Sequence, residues 1–220
     1  MRRPNDRSGT RSDTRRAEAF SDGVLAIAIT LLVLDLQSPK HEPGELLPAL
    51  LRQWQSYLAY VTSFLYVGVT WLNHLAAFSR VASMDRVLHW ANLGILFSIA
   101  LLPFPTAVIA DAVKTGNPAD SRAAVGLYAL VGVLVSGNWL LFFHHLSRRP
   151  DLVRPEVPKG RFATDRTRAL VGVVLYTGAG AVGALFPPVA LAIFFLLGVF
   201  FGLTSHGLAA LPIVIRRGST

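Results

Sequence analysis

Ser21 and Asp22 stand at the head of a nearly unbroken apolar run from Val24 to Leu36, interrupted only by Thr30 and Asp35. A carboxylate so close to hydrocarbon is costly, so it takes a partner and commonly marks a functional site. A second apolar segment ends in Trp71-Leu72-Asn73-His74, and a third opens with His89 and Asn92. If the three segments cross a membrane in alternation, these residues fall in one layer, with Arg16 at its edge. Buried polar groups need partners, and this layer offers them. Two readings of it stand. One is a structural cluster that fixes helix packing; the other is a cluster that also responds to protons or controls a gate.

The elements that must carry these residues follow from composition. The chain is 52% hydrophobic and 15% charged, whereas a soluble domain carries about 25% charged residues. Six segments reach or approach the ~20 apolar residues that span a bilayer. They are 19–36, 57–78, 87–110, 123–146, 169–186 and 189–211. Pro103 and Pro105 should kink the third, and Pro187-Pro188 separates the fifth from the sixth. Residues 1–14 form a polar, basic tail expected to be disordered. The membrane domain is expected over 15–212, with a short tail over 213–220. Thr14-Arg15-Arg16 before an apolar run resembles a twin-arginine signal. Glu18, Asp22 and Asp35 fit that poorly, and no Ala-x-Ala site follows Leu36.

The basic residues set the topology. Six lie in the N-terminal tail: Arg2, Arg3, Arg7, Arg11, Arg15 and Arg16. Arg80 and Arg86 follow the second segment. Seven more occupy the stretch from Arg148 to Arg168, and Arg216 and Arg217 lie at the C-terminal end. Only Lys40, Arg52, Lys114 and Arg122 fall on the opposite side, a 17-to-4 split. The positive-inside rule then predicts six spans with both termini cytoplasmic, in the cell membrane.

At about 100° per residue, Phe20, Gly23, Ile27, Thr30, Leu31 and Leu34 share one stripe of the first helix. Asp22 lies about 200° round from Phe20, on another face. Periodicity alone favours a lipid-facing or bundle-packing helix over a pore lining. The small residues Gly178, Gly180 and Gly183, and the pair Gly198 and Gly202, suit close helix packing.

Arg16-Ala17-Glu18-Ala19-Phe20-Ser21-Asp22, an Arg-x-x-x-Phe-Ser-Asp motif followed by an aliphatic helix, resembles the first-helix signature of the transmembrane protein 175 family of potassium channels. Trp71 and His74, Asn92-Leu93 and Leu101-Leu102-Pro103-Phe104-Pro105-Thr106 are also similar to that family. The resemblance covers the first three segments; the last three match only in length and hydrophobicity. It implies an all-α integral membrane protein with six transmembrane helices per chain, assembled as a homotetramer whose pore is lined by the first helix of each subunit. It implies a hydrophobic constriction at Ile27, with Leu31 and Leu34 stacked above it. Thr30 would supply a hydroxyl ring that favours potassium over sodium. Arg16, Phe20, Ser21, Asp22, Trp71, Asn73, His74 and Asn92 would form the motif and its polar cluster. The permeant ion would be K+, with no other cofactor, and the lipid bilayer would be the other partner. One copy of Phe-Ser-Asp means one six-helix unit.

Other chemistries find little purchase. The chain has no Cys, which excludes disulfides, zinc–thiolate sites and thiol nucleophiles. His144 and His145 are adjacent, so on a helix they point about 100° apart and share no ligand face. His206 is isolated, and no metal-binding or phosphate-binding motif occurs. The net charge of +8 is assigned to topology and to anionic headgroups rather than to nucleic acid. Two further classes stay open: a secondary transporter with an intramembrane polar site, and a membrane-embedded scaffold or enzyme.

Overall fold

The structure is a computed structural model and describes residues 6–158 and 160–203. The described residues are helical almost throughout. α1 runs from Asp6 to Leu31 and closes in a 3-10 turn over Leu32–Asp35. It starts well before the expected residue 19, so much of the tail anticipated as disordered is continuous with it. After the short α2 (Leu46–Leu51) comes α3 (Trp54–Phe78). The third segment is two helices, α4 (Arg86–Ala100) and α5 (Pro103–Thr115). α6 (Pro118–Arg148), α7 (Arg161–Leu185) and α8 (Pro187–Leu203) complete the bundle.

Local chemistry sets these boundaries. Asp85 is extended and its side chain accepts the Leu88 N–H at 3.0 Å, capping α4. Pro103 has no N–H, so the ladder changes step there: Leu102 bonds back to Ile99 at 3.0 Å and Phe104 to Leu101 at 3.2 Å. The result is a kinked span, as the prolines predict. Gly116 takes a left-handed φ of 72° to end α5, and Asn117 caps α6 through Ala119 N–H at 2.9 Å.

Among the described residues, five stretches are long and apolar enough to cross a membrane: Thr14–Asp35, Trp54–Phe78, Arg86–Thr115, Pro118–Arg148 and Arg161–Leu185. α8 is apolar but shorter within the described residues. The expected sixth segment continues to 211, outside them, as do the 213–220 tail and His206.

α6 and α7 pack closely because small residues face them. A Cβ on Gly132 would strike the Tyr176 ring, and one on Gly183 would strike Val125. The core gathers Leu25, Leu32, Ile95, Ile99, Val125, Phe142 and Phe194, all nearly inaccessible. At the Arg-rich end, a lone β-bridge joins Val81 to Val153, and Ala82 donates to the Leu152 carbonyl at 2.8 Å. That contact ties the α3–α4 turn to the segment leading into α7.

Candidate functional site: the first helix and its polar layer

α1 is sharply two-sided. Ser21, Leu25, Ala28 and Leu32, spaced three or four apart, are at most 2% exposed. Phe20, Ile27, Leu31 and Leu34 are 56%, 60%, 41% and 67% exposed. Gly23 and Thr30 are exposed as well. The stripe read from the sequence is therefore the face that α1 turns away from its own bundle. Thr30 donates its hydroxyl proton to the Ile27 carbonyl at 2.8 Å. Its oxygen lone pairs remain on the open side, where they can accept from water or meet a cation.

The buried side of α1 is held by a hydrogen-bond chain. Ser21 donates to the Ala17 carbonyl at 2.7 Å. Its oxygen then accepts from Asn92 Nδ2 at 3.0 Å. The Asn92 carbonyl oxygen faces His74 Nε2 at 2.9 Å. Read in sequence, these bonds fix the protons: Ser21 has spent its own, Asn92 must offer its amide, and His74 must carry hydrogen on Nε2. His74 is wholly buried and stacks on Phe78, with ring centroids 4.1 Å apart. Its Nδ1 has no hydrogen-bond partner.

Asp22 turns from the stripe, as its helical angle requires, and accepts from Trp71 Nε1 at 3.1 Å. The layer thus joins α1, α3 and α4 through Ser21, Asn92 and His74, with Asp22–Trp71 beside them. Other residues expected in it lie elsewhere. Asn73 lines a cleft shared with Arg80 and Trp139. His89 bonds to the Asp85 carbonyl at 2.8 Å in an exposed position. Arg16 is exposed, in the middle of α1.

Sequence reasoning missed three further clusters. Ser63 bridges Thr106 and Tyr128 at 2.7 and 2.9 Å. Asp85, besides capping α4, meets His145 Nε2 at 2.7 Å and Arg149 at 3.5 Å. Burial pushes the Asp85 carboxyl up, but the Leu88 N–H and His145 outweigh it and hold the group below its usual range. Arg80 pairs with Asp165 at 2.9 Å. The only signal available for the second was the Ser83-Met84-Asp85-Arg86 stretch before α4, which marks a helix start but not its distant partner. Among the described residues, no group of three His, Cys, Asp or Glu side chains could hold a metal ion.

At the other end of α1 lies a cavity of about 1000 Å³, lined by Asp35, Lys40, Arg52, Trp54, Asp111 and Lys114 among others. One Asp35 oxygen there is buried without a hydrogen-bond partner.

Comparison with known proteins points one way. Residues 16–103 match the family model described as the endosomal/lysosomal potassium channel TMEM175. That stretch takes in the motif, α3 and α4, which together build the polar layer. The chain is 40% identical to a potassium channel of Streptomyces collinus over 192 residues, 87% of this chain and 92% of that protein. It is 34% identical to a potassium channel of Chamaesiphon minutus over 198 residues, 89% and 96% of the two chains. The crystal structure of a lysosomal potassium-selective channel TMEM175 homolog from Chamaesiphon minutus matches with a TM-score of 0.77. It covers 88% of this chain and 98% of that one at 34% identity. A shared motif, a shared fold and likeness over nearly the whole length together place this chain in the TMEM175 family.

Proposed function

We propose that the chain is the subunit of a potassium channel that conducts passively, favours potassium over sodium, and lines its pore with α1. It is an ion channel and not an enzyme, in keeping with its relatives. The observation that carries the reading is the bare stripe. Phe20, Ile27, Leu31 and Leu34 are bulky and exposed along one side of a helix whose other side is packed and hydrogen-bonded. Turning α1 about its axis would carry Ser21 away and leave the Asn92 amide N–H without its acceptor in a medium that offers none. The polar layer therefore supports one azimuth for the helix, with the stripe outward.

In the proposed homotetramer, four copies of α1 bring their stripes together. Ile27 forms the narrowest ring, and Leu31 and Leu34 stack along the same path. Such an aliphatic ring gates by excluding water. An ion crossing it sheds part of its hydration. Potassium sheds water at lower cost than sodium, and four Thr30 oxygens replace some of what is lost. Six spans with both termini cytoplasmic, in the cell membrane, complete the arrangement. K+ is the permeant ion, and no cofactor enters the scheme.

The test is potassium flux from loaded proteoliposomes, followed by single-channel recording in planar bilayers. Discrete openings with a reversal potential near that of potassium are expected. Ile27→Ala and Ile27→Asn should raise the current by widening or wetting the ring. Thr30→Ala and Thr30→Val should mainly lower the preference for potassium over sodium. Unchanged conductance and selectivity across all four variants would mean that α1 does not line the pore; a silent protein would return attention to transport or scaffolding.

A further inference from the structure

Several glycines of the bundle have a neighbour that explains them. A Cβ on Gly94 would strike the Asn138 side chain, and one on Gly172 would come within 2.8 Å of Ser136 Oγ. Gly132 and Gly183 are crowded in the same way by Tyr176 and Val125. Gly23 differs from these. It lies inside α1, takes no positive φ, and a Cβ added there meets nothing within 4 Å. Glycine is the poorest helix former after proline, so it weakens α1, and no contact within the chain offsets that. Gly68, Gly126, Gly137 and Gly178 are as open, but they belong to α3, α6 and α7. Gly23 stands on the bare side of α1.

The azimuth of Gly23 supplies a reason for it. With Phe20 at zero and about 100° per residue, the buried Ser21, Leu25 and Ala28 centre near 110°. The direction opposite the bundle is then about 290°, and Gly23 at about 300° and Thr30 at about 280° lie along it. Ile27 stands between them in height, about 6 Å above Gly23 and about 4.5 Å below Thr30. In four α1 helices set about one axis, the direction away from each bundle is the direction of that axis. Gly23 then faces the lumen on the N-terminal side of the Ile27 ring. Phe20 and Ile27, one turn to either side, are bulky and exposed. They hold neighbouring helices apart and leave the level of Gly23 open.

Taking α1 as the pore lining, we propose that Gly23 forms a water-filled chamber beside the Ile27 ring, where potassium keeps its hydration until it enters the constriction. An apolar side chain at this level would lengthen the aliphatic ring by a turn, and a longer dry stretch excludes water more strongly. A glycine also leaves helix backbone open to water. Gly23 and Thr30 thus hold room for water on either side of Ile27, and the missing side chain at Gly23 sets the current.

The test is single-channel recording of the full chain in planar bilayers with Gly23→Ala, Gly23→Val and Gly23→Thr, alongside tetramer recovery and thermal melts in detergent. Gly23→Ala should lower the unitary current while raising Tm by a few degrees, because nothing meets the added methyl and alanine favours the helix. Gly23→Val should cut the current roughly tenfold, a barrier increase of ~1.4 kcal/mol. Gly23→Thr has nearly the same shape with a hydroxyl, so it should keep most of the current that Val loses. Equal losses for Val and Thr would overturn the proposal, since bulk rather than dryness would then be the cause. Poor tetramer recovery in Gly23→Ala would overturn it as well, by making Gly23 a close contact between helices. If Gly23→Val fails to assemble, Gly23→Ala decides through its paired rise in Tm and fall in current. Unchanged current in all three also sinks the chamber, and Ile27→Ala then separates the two readings. A raised current in Ile27→Ala leaves α1 as the pore lining; no effect there removes both.

Discussion

Ser21 has one hydroxyl proton and sends it to its own helix, which obliges Asn92 to approach with its amide group and dictates the His74 tautomer. Asp22, one residue on, is less enclosed and takes the Trp71 indole N–H. Removing it leaves that donor without its charged acceptor, at a cost of about 1–3 kcal/mol. Asp22→Ala should accordingly lower recovery of the assembled channel while leaving the reversal potential of the surviving current unchanged. Asp22→Asn keeps the shape and an acceptor oxygen, so it should recover better. A normal assembly with a large change in selectivity would instead put Asp22 in the ion path. Asp85 gives a second expectation, in pH. Its carboxyl is held below the usual carboxylate value, so its stabilising effect is present above that value and is lost as pH falls through the lowered one. Asp85→Ala should cost about 1 kcal/mol at neutral pH through the lost cap. The gap from the parent protein should narrow below about pH 4. Thermal melts of both proteins across pH would show it, and a constant gap would refute the assignment.

At the scale of elements, α1 was the most readable part of the sequence. Its stripe follows from a 3.6-residue period, and the exposure of Ile27, Leu31 and Leu34 shows the same division of faces. The kink before Pro103 and the separation at Pro187 were equally plain, because proline acts on its own backbone. What periodicity lacked was crossing geometry. It put Asn73 and His89 in the polar layer by height alone, whereas the azimuth of α3 hands Trp71 and His74 to that layer and Asn73 to the cleft. Arg80–Asp165 and Asp85–His145 join residues far apart in sequence, and no local pattern announces such pairs. The absence of native Cys makes α1 simple to test, since single-Cys variants need no background correction. Cys at Ile27, Leu31 and Leu34 should react with a permeant thiol reagent in a way that blocks current. Cys at Leu25 and Ala28 should be protected. Equal labelling of both sets would mean that α1 has no pore side.

For the molecule as a whole, the two ends of the bundle differ in charge, and this decides its orientation. Arg80, Arg86, Arg148, Arg149, Arg154 and Arg161 all belong to turns and helix ends that meet near the Val81–Val153 bridge. Lys40, Arg52 and Lys114 line the cavity at the opposite end, together with Asp35 and Asp111. The chain thus folds so that its alternating basic loops come together on one side, although it enters and leaves the bundle several times. Basic residues near span ends are retained on the cytoplasmic face during insertion. The Arg-rich end should therefore face the cytoplasm, with the Phe-Ser-Asp motif in the inner half of α1 and Leu34 toward the outside. A reporter fused after Thr220 tests the parity of the spans as well as the orientation. An even number of crossings returns the C-terminus to the side of the N-terminus, so the proposed six spans require α8 to belong to the last of them. A reporter active only in the cytoplasm is expected. Activity only in the periplasm, with the N-terminus cytoplasmic, would mean five crossings, and α8 would then be a re-entrant or interfacial helix.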